Sequence, residues 1–191
     1  MGAGLLPIAL NRGTLLVLLG QERYQELWCD FGGRSDRGET DYETALREGK
    51  EELNGFLGSG GVLHSAVNDS FIKSFTNSRD KYISYLFKIK YDNKLPFYFN
   101  NNNAFIESHL PDLVNEEAYK KHTGLFEKNK IKWFTTREIA RDLHKFRPHY
   151  IPILKELLAK EAELISTMYE SNKKSRSESE NSTRKLRKIE K

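Results

Sequence analysis

Three glutamates of this 191-residue chain, Glu48, Glu51 and Glu52, stand at i, i+3 and i+4. On a helix that spacing puts their carboxylates on one face. Like charges this close destabilise an isolated helix. Hard divalent cations reverse the sign, because Mg2+ and Mn2+ favour carboxylate oxygens and retained waters. Arg47 is placed to steer one carboxylate, in partnership with Glu39. Gly32 and Gly33 lie just upstream, and a glycine-rich loop lets backbone groups approach ions and phosphates closely. A solvated acidic face with two incidental glycines would leave the same local trace, so the trio alone does not decide.

The element that must carry these residues reads as a helix over 40–54. Thr40 is a suitable N-cap with Glu43 three residues later, a capping box. Tyr42, Ala45, Leu46, Gly49 and Leu53 form one apolar-to-small face at helical spacing, opposite the glutamates. Asn54-Gly55 tolerates the left-handed conformation and should stop the helix. Gly49 in the middle suggests a close helix–sheet approach.

Around this helix, apolar runs at 5–10 and 14–19 flank Asn11-Arg12-Gly13 and read as a hairpin. A further strand is expected at 25–31, ending at Gly32-Gly33. Residues 70–76 and 81–90 form a second hairpin about Asn77-Ser78-Arg79-Asp80. The stretch 92–103, with Pro96 and four consecutive asparagines, reads as a loop. A short helix is expected near 115–121, a strand at 131–135 and a helix at 137–145. From Pro152, residues Ile153, Leu154, Leu157, Leu158, Leu164, Ile165 and Met168 trace an amphipathic helix. The sum is a mixed sheet with helices attached, an α/β/α or α+β arrangement. Its organisation would be a catalytic domain over 1–150, a helix packed on it over 151–170, and a disordered basic tail over 171–191.

Bulk properties narrow the class. No apolar run reaches the roughly 20 residues of a membrane span, and the N-terminus lacks the basic and cleavage signals of a secretory leader. A single cysteine, Cys29, precludes an internal disulfide and suits a reducing compartment such as the cytoplasm; it reads as a packed strand residue. The net charge of +4 is uneven: residues 171–191 hold eight Lys/Arg against three Glu, leaving the rest near neutral. Within the body, nine Lys/Arg between 118 and 150, Lys130 and Lys132 among them, face only Glu127, Glu138 and Asp142. A cation site beside a polyanion-binding surface would suit that pattern, as would an ordinary solvated surface.

Residues 32–56, GGRSDRGETDYETALREGKEELNGF, go further. They resemble the Nudix signature G-x5-E-x7-R-E-U-x-E-E-x-G-U, where U is apolar. Gly33, Glu39, Arg47, Glu48, Glu51 and Glu52 fall at its fixed positions. Six such letters coincide by chance about once in 10⁷ registers at ordinary residue frequencies. Gly49 departs from the first apolar position, and Asn54-Gly55 from the closing glycine and apolar residue. A one-residue extension to Gly55-Phe56 would restore the latter pair, and no carboxylate is affected. The resemblance implies a Nudix-type α/β/α sandwich and a pyrophosphohydrolase using Mg2+ or Mn2+. Glu51 and Glu52 would be metal ligands, and Glu48 a ligand or general base. Arg47 would orient Glu48, the Gly33 carbonyl would add a ligand, and Glu39 and Gly32 would support the site.

The substrate is less constrained. Glu127 lies six residues before Trp133-Phe134, a spacing similar to that of decapping enzymes of this family, where such a glutamate is a further metal ligand or base. The segments GAGLLPIAL, WCDFGGRSDRGE and RPHYIPIL resemble Nudix proteins of giant DNA viruses, some of which decap mRNA. That resemblance implies capped RNA as partner, in the host cytoplasm or carried in the virion. Diphosphoinositol polyphosphates, ADP-ribose and dinucleoside polyphosphates are the alternatives, and a catalytically silent RNA-binding module the remote one. A cap pocket needs an aromatic face for methylated guanine. Tyr24, Trp28, Phe31, Tyr82 and Tyr85 are candidates, with Trp28 the first choice. Arg34, Lys130 and Lys132 are the expected phosphate contacts.

Overall fold

A computed structural model describes residues 1–58, 60–115 and 126–171. The chain opens with β1 (Gly2–Asn11) and β2 (Thr14–Glu22). Their hairpin closes through Arg12 and Gly13, both with positive φ. The apolar run of β1 does not alternate because the strand is buried on both faces from Gly2 to Ala9. It pairs with β2 on one side and runs parallel to β6 (Tyr82–Lys88) on the other. The seven-stranded mixed sheet has the order β3-β2-β1-β6-β5, with β4 also on β1 and β7 also on β2. Here β3 is Trp28–Cys29, β4 Phe31–Arg34, β5 Phe71–Asn77 and β7 Lys128–Thr135.

Side-chain alternation along β1 divides the core between the two faces. Ala3 and Leu5 pack with Ala45 of α1 (Asp41–Glu52), and with Leu63 and Val67 of α2 (Gly61–Ser70). Leu6 and Ile8 face the other way, onto Ile153, Leu154 and Leu157 of α5 (Ile151–Ala159) and onto Leu164 and Met168. Helices therefore cover both faces of a mixed sheet, the arrangement expected from the sequence. No helix among the described residues is long and apolar enough to cross a membrane.

The expected hairpins and the helix α1 are present, and β7 starts three residues earlier than expected. Several other expectations need correction. The strand expected at 25–31 is broken at Asp30 into β3 and β4, because Asp30 turns its carboxylate inward to Tyr82 and Ser84. Residues 92–103 are not a loop: α3 runs from Leu95 to His109. Pro96 sits in its first turn, where no intrahelical N–H is needed. The Asn100 amide pairs with both backbone groups of Ile131 on β7, accepting from its N–H at 2.8 Å and donating to its carbonyl at 3.3 Å. Buried Asn103 donates to the Phe99 carbonyl. The asparagine tract is thus recruited to a strand edge, an outcome that local propensity does not carry. Helix α2 is not anticipated by any local pattern.

The helix expected at 137–145 is α4 (Thr136–Arg141), capped by Thr135 and Glu138, followed by a 3-10 turn at Leu143–Lys145. The C-terminal helix is interrupted at Lys160 and resumes over 161–171. The short helix expected at 115–121 and the basic tail lie almost wholly outside the described residues.

Candidate active site

Helix α1 is held at both ends by its own sequence. The Thr40 side chain accepts from the Glu43 backbone and Glu43 returns the bond to Thr40, closing the capping box. At the other end Asn54 and Gly55 both have positive φ, and the Gly55 N–H bonds the Lys50 carbonyl at 3.1 Å. The helix seats tightly on β1. A Cβ at Gly49 would fall 2.5 Å from Leu5 Cδ1, so glycine is what permits this approach. Strand β4 pairs antiparallel with β1, placing Gly33 opposite Ala3. A side chain at Gly33 would collide with the Glu48 carboxylate, so that carboxylate lies directly over bare backbone.

Arg47 organises the acidic groups. Its Nε and Nη2 donate to the two oxygens of Glu39, at 2.8 and 3.0 Å. Nη1 reaches Glu48 at 2.9 Å and Glu51 at 3.4 Å, and Nη2 also donates to the Arg34 carbonyl at 3.0 Å. These bonds hold the Glu39 carboxyl down to about 2. Burial pushes Glu48 and Glu51 above the usual carboxylate range, with Arg47 opposing in each case. The charge of Glu127 raises the proton affinity of both Glu48 and Glu52, so the loop entering β7 brings this residue to the same cluster.

Glu52 departs from expectation. It is not on a face opposite the apolar stripe but is buried with Ala45 and Gly49, and only 2% of it is exposed. Beneath it lies a network that spacing along the sequence does not reveal. Lys128, fully buried, places its Nζ 3.2 Å from Glu52, 2.5 Å from Glu22 and 3.0 Å from Cys29 Sγ. Glu22 also accepts from Arg147 at 3.0 Å and from the Cys29 thiol at 3.2 Å. Burial opposes the charge of Glu22, but Lys128 and Arg147 outweigh it and the carboxyl is lowered. Lys128 likewise keeps its charge against burial because Cys29, Glu52 and Glu22 surround it. Burial drives Glu52 well upward instead, since the ammonium it faces is shared with Glu22. The one signal in the sequence is the Glu-Lys pair at 127–128. Lys128 counts there as one more cation of a basic run, because nothing local says that it points inward.

Glu52 Oε2 is buried and has no hydrogen-bond partner. A buried carboxylate oxygen without a donor is costly, and a hard cation would satisfy it. Among the described residues no three acidic, histidine or cysteine side chains converge on one point as they stand. Oxygen donors are nevertheless gathered in excess over cations, which fits a divalent ion of the Mg2+ or Mn2+ type better than a soft metal.

Other expected contacts are not brought here. Trp28 packs edge-on against Phe134, centroids 4.9 Å apart, on the sheet face that carries α5. Its ring is partly buried and packs against that core. Lys132 bonds Glu138 at 3.0 Å and lies over the Phe134 ring. Lys130 is an exposed strand residue opposite Gln21. Of the other aromatic candidates, Phe31 is fully buried, Tyr82 donates to Asp30 at 2.8 Å, Tyr85 packs on Tyr42, and Tyr24 donates to the Val114 carbonyl. Arg34 ends β4 with an exposed side chain, next to the cluster.

In three dimensions the chain resembles the Ap4A hydrolase of C. elegans in a binary complex. The TM-score is 0.50 at 18% identity, over 85% of this chain and 98% of that one. The Nudix hydrolase RenU of M. smegmatis has a TM-score of 0.49 at 14% identity, over 84% of each chain. At such identities the likeness is one of fold. No curated protein matches the sequence. The family model of the NUDIX domain matches residues 1–157, a span that includes β1, the glycine-preceded helix α1 and Glu127. The chain belongs to the NUDIX domain family.

Proposed function

We propose that the protein is a metal-dependent pyrophosphohydrolase acting on a diphosphate linkage in a nucleotide-type substrate. The observation that carries this reading is the Glu39–Arg47–Glu48–Glu51 lattice beside buried Glu52, whose Oε2 lacks a partner. Glu48, Glu51, Glu52, Glu127 and the Gly33 carbonyl are the groups that would hold the metal. When bound, a divalent ion supplies Lewis-acid charge at the diphosphate oxygens and a more acidic water. Arg47 keeps Glu48 and Glu51 in place through its fixed fork, while Glu39 anchors the far side of that fork. Water attacks one phosphorus, the bridging P–O bond breaks, and the water proton passes to Glu48 or Glu127. Burial and the neighbouring carboxylates raise the proton affinity of Glu48, which suits a general base.

Two substrate readings follow. The position of Glu127 beside Glu48 and Glu52 favours the decapping alignment, with release of 7-methylguanosine diphosphate from capped RNA. The basic segment favours a small substrate instead. Lys132 pairs with Glu138, Arg141 and Lys145 with Asp142, and Arg147 with Glu22, which leaves less free cationic surface for a long polyanion than the sequence suggested. The test is hydrolysis of cap-labelled RNA and of Ap4A with Mg2+ or Mn2+, run beside a Glu51→Gln, Glu52→Gln double variant. Turnover in the double variant should fall by at least about a hundredfold, as for loss of an essential catalytic group. A wild-type rate in that variant would sink the assignment. Cleavage of capped RNA selects the first substrate reading, and cleavage of Ap4A alone the second.

A further inference from the structure

A cavity of about 450 Å3 opens beside Gly32 and Gly33, bounded by Arg34, Ser35, Lys81 and the segment Arg147–His149. We propose that it binds a phosphate of the substrate, together with the group that phosphate carries, next to the phosphorus attacked at the carboxylate cluster. The proposal rests on the hydrolytic reading of that cluster, because the two sites share Gly33: one faces Glu48 across its bare α-carbon and the other is lined by it.

The charge of the lining points to an anion. Arg34 and Lys81 form no ion pair with a carboxylate among the described residues, so two cations with uncommitted donors flank the opening. Arg147 adds a third, with Nη1 spent on Glu22 at 3.0 Å. Asp80 is the one carboxylate of the lining, and the Asn77 amide holds it at 2.6 Å within its own turn. Ser35 Oγ is a buried hydroxyl with no partner. A phosphate oxygen would accept from that hydroxyl and from the two cations, which with Arg147 outnumber the single carboxylate of Asp80 three to one.

The walls are tied to one another before any ligand arrives. The Asn77 amide also donates to the His149 carbonyl at 2.7 Å, fastening the β5–β6 turn to the segment ahead of α5. The Gly2 N–H donates to the Lys81 carbonyl and the Ser35 N–H to the Met1 carbonyl, both at 3.0 Å. A site fixed in this way loses little freedom on binding. The ring of Tyr82, with His149 edge-on at 5.6 Å, forms one wall. The volume exceeds that of a phosphate alone and lies within the range of small-molecule sites.

Two measurements test the proposal. The first is steady-state hydrolysis of Ap4A and of a capped dinucleotide by the wild type, Arg34→Gln, Lys81→Gln and, as a surface control, Lys155→Gln. KM should rise about tenfold in each of the first two variants, the size of one lost charge-assisted hydrogen bond, and more than kcat changes. Lys155→Gln should match the wild type. The second is calorimetric titration of inorganic pyrophosphate without divalent metal, where the Arg34→Gln, Lys81→Gln pair should bind at least about fivefold more weakly. This arm needs no turnover, so absence of hydrolysis by the wild type would defeat the hydrolytic reading while pyrophosphate affinity still reports on the cavity. Unchanged affinity in the pair, or an equal loss in Lys155→Gln, would overturn the cavity as an anion site. Weakened pyrophosphate binding with unchanged KM would reduce it to a site for free anions and overturn its role for substrate.

Discussion

At the scale of single residues, the chemistry depends on charges taken out of water in unequal numbers. Lys128 is the clearest case: one buried ammonium serves Glu22 and Glu52, and removing it would leave Glu52 without its ion-pair partner and Glu22 with Arg147 as its one remaining cation. Asp30 shows the same physics in a measurable form. Burial pushes its carboxyl up to about 6, against the hydrogen bonds from Ser84 and Tyr82. The unfolded chain has the ordinary value near 3.8. Between those two pH values the folded state binds more protons than the unfolded one, so stability falls as pH rises from about 4 to above about 6. The part owed to Asp30 approaches about 3 kcal/mol. Denaturant unfolding at about pH 4 and about pH 7 should therefore show a decline in the wild type that Asp30→Asn largely lacks. Equal declines would mean that Asp30 titrates as an ordinary carboxylate.

At the scale of elements, the site depends on how closely α1 is seated on the sheet. Gly49 is legible in the sequence as a departure from an apolar pattern, and its contact with Leu5 gives the reason. Alanine there would gain about 1 kcal/mol of helix propensity but would have to displace a buried leucine. The expected outcome for Gly49→Ala is a net loss of about 1–2 kcal/mol in thermal or urea unfolding, with packing strain exceeding propensity. In a Leu5→Ala background the same change should cost much less, the non-additivity expected of touching residues. A stabilised Gly49→Ala protein would contradict the tight seating. The caps of α1 and both hairpin turns are legible because their signals are local. Helix α3 is not, because asparagines and a proline read as loop until Ile131 offers its backbone to Asn100.

At the scale of the whole molecule, charge is distributed by function. Several basic side chains of the described body, Lys132, Arg141, Lys145 and Arg147 among them, pair with carboxylates of that body, whereas the eight Lys/Arg after residue 171 face only three Glu in their own segment. Removing residues 172–191 should leave Ap4A hydrolysis unchanged, since the described cluster and cavity lie within the first 150 residues. Binding of a long RNA should weaken, and its dependence on salt should become shallower in proportion to the number of phosphates the tail neutralises. A salt dependence identical to that of the full chain would show that the tail takes no part in binding. Residues 161–171 are a different matter: Leu164 and Met168 are buried in the same core as β1 and β2, so that helix belongs to the fold.

The primary sequence by itself determined the family and the acidic helix. Gly33, Glu39, Arg47, Glu48, Glu51 and Glu52 lie on one short segment, where their spacing is legible without any knowledge of the fold. It also determined the hairpin strands, α1 and the amphipathic C-terminal helix that together make a mixed sheet with helices on it, but not α2 or α3. Tertiary structure alone decided which charges are buried. Glu52 and Lys128 come from α1 and β7, far apart in the chain, and their burial depends on packing no local pattern records. The same holds for Trp28 and Lys132, whose residue types suit a ligand but whose strand positions turn them onto Phe134. The anion cavity likewise exists only where the start of β1, the end of β4, the β5–β6 turn and the segment before α5 meet.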